Sequence, residues 1–327
     1  MHNSNRRRLT AAALLAASGA SFSSPLWAQA WPSKPVRLIA PYPPGGGVDT
    51  VSRLVGERLA LRLGQPVTVD NRPGAAATIG AEAMAKSAPD GYTLMLGSMI
   101  DYSITPHSHK NFPYDMRRDF AAAVEVGNGT VALIVHADFP AQTMKEVIAL
   151  AKANPGKYSY AADSGGLRHL SGEMFKQMAG VDLVHVPYKG TAQFLPDLLA
   201  GRVPLTIDSV PAHLPHIKAG KLRALGVASR SRAPMLPDVP TMIEAGLPQY
   251  EVSTNYTLFA PGGTPREVLD RLNRETNAVL QLPEVRERMI ALGIIPVGGT
   301  IEAVQARMPA EMTKWGGVIK AANIKFE

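Results

Sequence analysis

The chain has 327 residues, no cysteine, and 34 Lys and Arg against 27 Asp and Glu, a formal net charge of +7. Disulfide staples are excluded, and a basic excess without a Lys/Arg tract, with only 6% aromatic residues, argues against nucleic acid as a partner. The length exceeds one small core and suits two α/β lobes.

The first element is a leader. Arg6-Arg7-Arg8 is a basic start, Leu9 to Ala20 is apolar, and Ala28-Gln29-Ala30 offers the small residues that a signal peptidase reads. This predicts a signal peptide over 1–30, cleaved after Ala30, and an exported mature chain. Ser18, Gly19, Ser21, Ser23, Ser24 and Pro25 interrupt the apolar run short of a membrane span. The leader carries three of the 34 basic residues and no acid, so the mature excess is +4, compatible with a small anionic ligand.

Strands and helices then alternate. Val36–Ala40 is a predicted strand, Pro41-Tyr42-Pro43-Pro44-Gly45-Gly46-Gly47-Val48-Asp49-Thr50 a glycine-rich turn, and Val51–Ala60 a helix. Further strands are predicted at Gln65–Asp70, Tyr92–Gly97, Thr130–Val135, Tyr158–Ala162, Leu183–Val186, Pro204–Asp208, Leu222–Ala228 and Tyr256–Ala260. Helices are predicted at Thr78–Lys86, Met144–Ala153, His169–Met178, Thr191–Leu199 and Leu214–Ala219. Arg266–Gln281, Pro283–Leu292 and Ile301–Ala321 close the chain as helices. The alternation predicts an α/β fold with parallel sheets and a ligand outside the carboxyl ends of the strands.

Five loops share one design, a Gly- or Pro-containing turn that opens a helix after a strand: Pro43–Thr50, Asn71–Thr78, Asp163–His169, Tyr188–Thr191 and Pro237–Thr241. One such loop alone is usually structural. Several together could aim helix N-termini into one cleft, where free N–H groups and the helix dipole favour a carboxylate. Thr191 is placed to cap its helix. Arg168 lies in one of these loops and could pair bidentately with a carboxylate or bond loop carbonyls. Arg72, beside Pro73, reads as structural.

Catalytic signatures are sparse. The chain has no Gly-x-Ser-x-Gly elbow, no His-Glu-x-x-His and no phosphate-binding Gly-x-x-x-x-Gly-Lys-Ser/Thr. Ser164 with His169 or His185 and Asp208 could be assembled into a triad, which leaves an exported hydrolase or isomerase as the alternative reading. His107-x-His109 and His213-x-x-His216 have metal-compatible spacing without acidic partners nearby, so packing is the preferred role. No metal or cofactor is expected.

Read together, Pro41–Asp49, Val69-Asp-Asn-Arg-Pro-Gly-Ala75 with Ile79-Gly80-Ala81, Pro89-Asp-Gly-Tyr-Thr-Leu94, Pro113-Tyr-Asp115, His169-Leu-x-Gly-Glu173, His185-Val-Pro-Tyr-Lys-Gly190, Asp197-Leu-Leu-Ala-Gly201 and Pro237-Asp-Val-Pro-Thr241 resemble the Bug-type receptors. These are the extracytoplasmic solute-binding proteins of tripartite tricarboxylate transporters. The resemblance spans the mature chain. It implies a periplasmic-binding-protein type II fold, two α/β lobes joined by a two-crossing hinge that close on a ligand between them. The implied lobes are 31–129 plus 254–327 and 130–253. The implied protein is a periplasmic monomer that captures a small carboxylate (a di- or tricarboxylate, acidic amino acid or aromatic acid). It would deliver that ligand to a large and a small membrane subunit.

By resemblance, Tyr42, Gly45, Gly46 and Asp49 form one wall, with Tyr42 covering the ligand and Asp49 ordering a bridging water, and Ser98 faces the cleft. Ser164, Gly165, Gly166, Arg168 and His169 form the opposite wall, with Tyr188, Thr191, Ala192 and Asp208 beside it. Two departures stand out. Asp163-Ser-Gly-Gly-Leu-Arg-His169 is one residue shorter than the usual loop, with Leu167 and Arg168 where small polar residues are typical. Ala76 and Ala77 replace glycines after the Asn-Arg-Pro-Gly turn.

Overall fold

The computed structural model describes residues 31–74, 77–104, 107 and 113–324. The leader, Ala75, Ala76 and His109 lie outside the described residues. In chain order the elements are β1 (Val36–Ala40), α1 (Gly47–Leu63), β2 (Val67–Asn71), α2 (Thr78–Ala85), β3 (Thr93–Gly97), α3 (Met99–Ile104), α4 (Met116–Asp119) and β4 (Phe120–His136). They continue with α5 (Met144–Ala153), β5 (Ser159–Asp163), α6 (Leu167–Ala179), β6 (Val184–Tyr188), α7 (Thr191–Leu199), β7 (Leu205–Ser209), α8 (Val210–Lys218) and β8 (Leu222–Val227). The last are β9 (Ser253–Pro261), α9 (Arg266–Leu280), α10 (Pro283–Ala291), β10 (Ile294–Pro296) and α11 (Ile301–Ala321).

The strands order as β2-β1-β3-β9-β4-β7-β5-β6, with β8 and β10 also on β4. The sheet is mixed, which corrects the expectation of parallel sheets. β1 pairs parallel with β2 and β3, and β5 with β6 and β7, whereas every pairing of β4 and β9 is antiparallel. The organiser is β4, 17 residues where sequence periodicity showed only Thr130–Val135. Its alanines and glycines (Ala121, Ala122, Ala123, Gly127 and Gly129) mute the β-propensity signal, and its burial on both faces removes the alternation that marks a half-exposed strand.

β4 changes partners midway. Phe120–Thr130 pairs with β9, and Val131–His136 pairs with β7 and β8. The two halves of the sheet are therefore stitched by one strand passing through and a second, β9, starting beside Thr130. Register shifts at Ala122/Val124, Glu125/Gly127 and Leu133/Ile134 let this long strand bend as it crosses.

Helices cover both faces of each half. α1, α9 and α10 enclose one core with Leu38, Leu94 and Leu258, and α2 and α3 close the other face around Tyr102, Phe120 and Phe259. In the second half, α7 and α8 pack Phe194 and Leu198 against β4, and α5 and α6 pack Met144 and Phe175. The C-terminal helix joins both. Ile301, Val304 and Met308 sit in first-half cores, whereas Trp315, Val318 and Ile319 are buried with Tyr160, Leu170 and Phe175 of the second.

Candidate functional site

Two loops of one design face a cavity of about 1190 Å³. In the first, Gly45 is left-handed (φ +81°), Gly46 is extended (φ −76°, ψ 170°) and α1 begins at Gly47. In the second, Gly165 is left-handed (φ +73°), Gly166 is extended (φ −84°, ψ 177°) and α6 begins at Leu167. Glycine takes a positive φ at no steric cost, which explains its place in each loop. Neither helix start has a side-chain cap, and Gly47, Val48, Leu167 and Arg168 all line the cavity. First-turn N–H groups and two helix dipoles thus converge on one space.

Each loop is closed by an acceptor four residues on. Gly45 N–H donates to Asp49 Oδ2 (2.9 Å), and Gly165 N–H donates to His169 Nδ1 (3.1 Å). Asp49 also accepts from Arg53 Nε (3.2 Å) and from Asn71 Nδ2 (2.9 Å). The Arg53 guanidinium, aided by Gly45 and Asn71, holds its carboxyl down to about 2 against the opposing effect of burial. Asp49 is buried outside the cavity lining. Its carboxylate shapes the loop.

On the same wall, Tyr42 donates its hydroxyl to Asp101, and burial with the Asp101 charge pushes the phenol well above its usual range. Ser98 follows β3 and caps α3, accepting from Asp101 N–H (3.2 Å). Tyr256 rises from β9 beneath the loop. A Cβ on Gly47 would lie 2.8 Å from its hydroxyl, so glycine is what lets α1 start this close.

Opposite, Arg168 bridges two carboxylates, donating Nε to Asp208 (2.5 Å) and a terminal nitrogen to Asp163 (2.8 Å). Asp208 also accepts from Thr191 Oγ1 (2.6 Å), Ser209 N–H (2.7 Å) and His213 Nε2 (2.9 Å). Burial alone would raise its pKa, but His213, Arg168 and Thr191 outweigh it and hold the carboxyl at about 2. The same two aspartates raise Arg168 above its ordinary value despite burial.

These bonds correct the proposed triad. Asp208 is bonded to His213, not His169, and His169 spends Nδ1 accepting from Gly165. Burial and the His185 ring stacked on it (centroids 3.9 Å apart) lower His169 to about 4. At neutral pH it is a neutral imidazole with its proton on Nε2. An oriented base facing Ser164 is not assembled.

Of the residues expected from sequence, Tyr42, Gly46, Ser98, Ser164, Gly165, Gly166, Arg168, His169 and Asp208 line the cavity. Gly45 and Asp49, both of the first loop and helix start, fall outside the lining. Tyr188 borders a smaller neighbouring pocket of about 480 Å³, its hydroxyl donating to Asp197 (2.9 Å). Thr191 is the first helical residue of α7 and supports Asp208, with Gly190 in the cap position it was expected to fill. Ala192 follows it, outside the lining. Of the five loops, Pro237–Thr241 ends in a reciprocal cap between Thr241 and Glu244, away from the cavity. Arg72 pairs with Asp70 (2.8 Å). Among the described residues no cluster of three or more potential metal ligands occurs.

Sequence reasoning missed Asp101, Thr254 and Tyr256 and marked Asp163 only as the start of its loop; all four line the cavity. For Asp101 a signal existed: Ser98-x-x-Asp101 directly after a strand has the spacing of a helix start. For Thr254 and Tyr256 none did, because only the pairing of β9 with β4 brings them here.

A cavity at the joint of two sheet halves, walled by uncapped helix starts, defines an α/β solute-binding protein of the periplasmic type II class. The chain belongs to the tripartite tricarboxylate transporter receptor family. The family model described as "Tripartite tricarboxylate transporter family receptor" matches residues 51–324. It is similar to Protein BugT of Bordetella pertussis, 35% identical over 329 residues, covering 99% of this chain and 100% of that one. Among solved structures it is similar to R. palustris Rpa4515 with adipate (TM-score 0.77, 36% identity, 91% of this chain and 100% of that one). It is also similar to MatC from Rhodopseudomonas palustris with bound malate (TM-score 0.73, 29% identity, 88% and 100%).

Proposed function

We propose that this chain is a periplasmic receptor that captures a small carboxylate by lobe closure and delivers it to the large and small membrane subunits of a secondary tripartite transporter. The observation that carries the reading is the pair of glycine-led, uncapped helix starts lining one cavity. Such starts bind an anion reversibly and need no activated nucleophile. That Rpa4515 is seen with adipate and MatC with malate supports a carboxylate as the ligand. The leader over 1–30 would direct export, with cleavage after Ala30.

The lobes on this reading are 31–129 plus 254–327 and 130–253, supported by the change of partners along β4 between Thr130 and Val131. The ligand lies between Tyr42, Gly46 and Ser98 on one side and Ser164, Gly165, Gly166, Arg168 and His169 on the other. Gly45, Asp49, Thr191 and Asp208 hold these in place, and Tyr188 and Ala192 flank the second wall. A bound acid is expected to be released unchanged.

Calorimetric titration of folded, ligand-free protein with citrate, malate, succinate, adipate, aspartate, glutamate and benzoate tests the reading. At least one acid is expected to bind at micromolar affinity or tighter and to raise the melting temperature. Silence across the set would overturn it.

A further inference from the structure

Arg168 is the one guanidinium or ammonium group among the described residues that line the cavity. It is spent on two aspartates, and its two arms are unequal. Through Nε it meets Asp208, whose side chain is 2% exposed and also accepts from Thr191, Ser209 N–H and His213. Through one terminal nitrogen it meets Asp163, whose side chain is 29% exposed and whose carboxylate has no other hydrogen-bond partner among the described residues. Breaking into a buried charge network is costly, whereas a single bond to a solvated carboxylate is worth little. The Asp163 arm is the one that yields.

The Asp163 carboxylate also fills space at the second jaw. Its Oδ2 rests against Gly166, so closely that a Cβ there would be 1.8 Å away. Gly166 is the residue before the first turn of α6, and that helix has no side-chain cap. A negative group therefore sits at an anion-favouring helix start without accepting from its N–H groups. Its pairing with Arg168 is incomplete as well. The other terminal nitrogen of Arg168 makes no hydrogen bond among the described residues, and a guanidinium pairs most strongly through two parallel N–H bonds.

We propose that Asp163 is an internal carboxylate that holds the ligand's place at the second jaw, and that its displacement from Arg168 sets the receptor's affinity and selectivity. The inference rests on the receptor reading above. A bound acid takes both terminal nitrogens of Arg168 and the start of α6, Asp163 turns away, and the arm from Nε to Asp208 stays. An acid that engages only the first jaw leaves the internal pair closed and binds weakly. An arm held shut about nine-tenths of the time weakens apparent affinity about tenfold. Gly166→Ala does not release this restraint usefully, because its methyl group would fill the space that the ligand's carboxylate needs.

The test is calorimetric titration of the mature protein and of Asp163→Asn with citrate, malate, succinate, adipate, aspartate, glutamate and benzoate, followed by a crystal structure of the wild type with the acid it binds most tightly. Asp163→Asn is expected to bind that acid about tenfold more tightly. Asp163→Ser, which cannot reach Arg168, repeats the measurement should the amide keep the bond. In the complex, the Arg168 terminal nitrogens are expected on the ligand carboxylate with Asp163 turned away. Unchanged or weaker binding by both folded variants would overturn the proposal and leave the receptor reading intact. So would a wild-type complex in which Asp163 remains bonded to Arg168, since the gain would then be plain relief of like-charge repulsion. Binding of an acid by the variants alone would support the proposal. Silence from the wild type and both variants across the set would remove the receptor reading with it.

Discussion

Asp49 and His169 occupy equivalent places in opposing jaws, each accepting the N–H of a left-handed glycine four residues earlier, at 2.9 and 3.1 Å. One is a carboxylate and the other a neutral imidazole, so the loop geometry asks for an acceptor at this position and not for a charge. The two jaws thus reach one backbone shape with different chemistry. Asp49→Ala removes the acceptor from Gly45, Arg53 and Asn71 together. Hydrogen bonds to a charged group contribute about 1.5–3 kcal/mol each at most. The variant is expected to melt lower and to bind ligand about tenfold more weakly, whereas Asp49→Asn retains an acceptor oxygen and loses less. Thermal melts and titrations of the two variants check this.

Asp208 couples stability to acid. Its folded pKa, about 2, lies below the unfolded value of 3.8, so its contribution is complete above about pH 4 and is lost as pH falls through 2. The size is about 2 kcal/mol. Urea midpoints of wild type are expected to fall over this window. Asp208→Asn is expected to be less stable at pH 6, because Arg168 and His213 lose their shared anion, and to show a shallower acid loss.

His169 follows the opposite protonation logic with the same direction. Its pKa is lowered to about 4 from 6.5, so the folded state prefers the neutral ring and the benefit declines as pH drops from 6.5 towards 4. Nitrogen NMR of the labelled ring is expected to report a neutral Nε2–H tautomer at pH 5.5. A charged imidazolium signal at that pH would contradict the assignment.

Gly166 tests the second jaw. A Cβ there would sit 1.8 Å from Asp163 Oδ2, so Gly166→Ala must displace the Asp163 side chain and with it one arm of the Arg168 bridge. Its backbone φ of −84° suits alanine, so stability is expected to change by less than about 1 kcal/mol while affinity falls. Parallel melting and titration separate the two effects.

Trp315 tests the C-terminal helix. Its ring is fully buried in the second-half core and its Nε1 donates to Glu311 (2.9 Å). Trp315→Ala is expected to cost about 3–5 kcal/mol, read as a shift in the denaturation midpoint. Because α11 begins in first-half cores, the variant is also expected to loosen the tie between the halves, seen as faster amide exchange along α6.

Much of the site was legible because local chemistry is written locally. Pro41–Thr50 and Asp163–His169 announce themselves by glycines between a strand and a helix, and the residues they supply reach the cavity. Ser98 was visible at the end of a buried strand. Asp101 had only the Ser98-x-x-Asp101 spacing to mark it, since a six-residue helix carries too little periodicity to register. The bonds of Asp49 were hidden for a related reason: an acid in an anion loop could face either way, and Arg53 and Asn71, from α1 and β2, turn it inward. The bond of Thr191 to Asp208 likewise needs α7 and β7 side by side.

The sequence by itself determined the alternation of strands and helices, the glycine-led jaws, the missing catalytic motifs and the resemblance to a receptor family. All of these depend on residues near one another in the chain. Only the tertiary structure decided that β4 pairs antiparallel in both halves, that Arg168 is shared between two aspartates, and that Asp101 and Asp163 line one cavity. These depend on residues tens of positions apart, whose meeting follows from which buried faces pack together. Periodicity marks which face of an element is buried, but it does not name the partner that buries it.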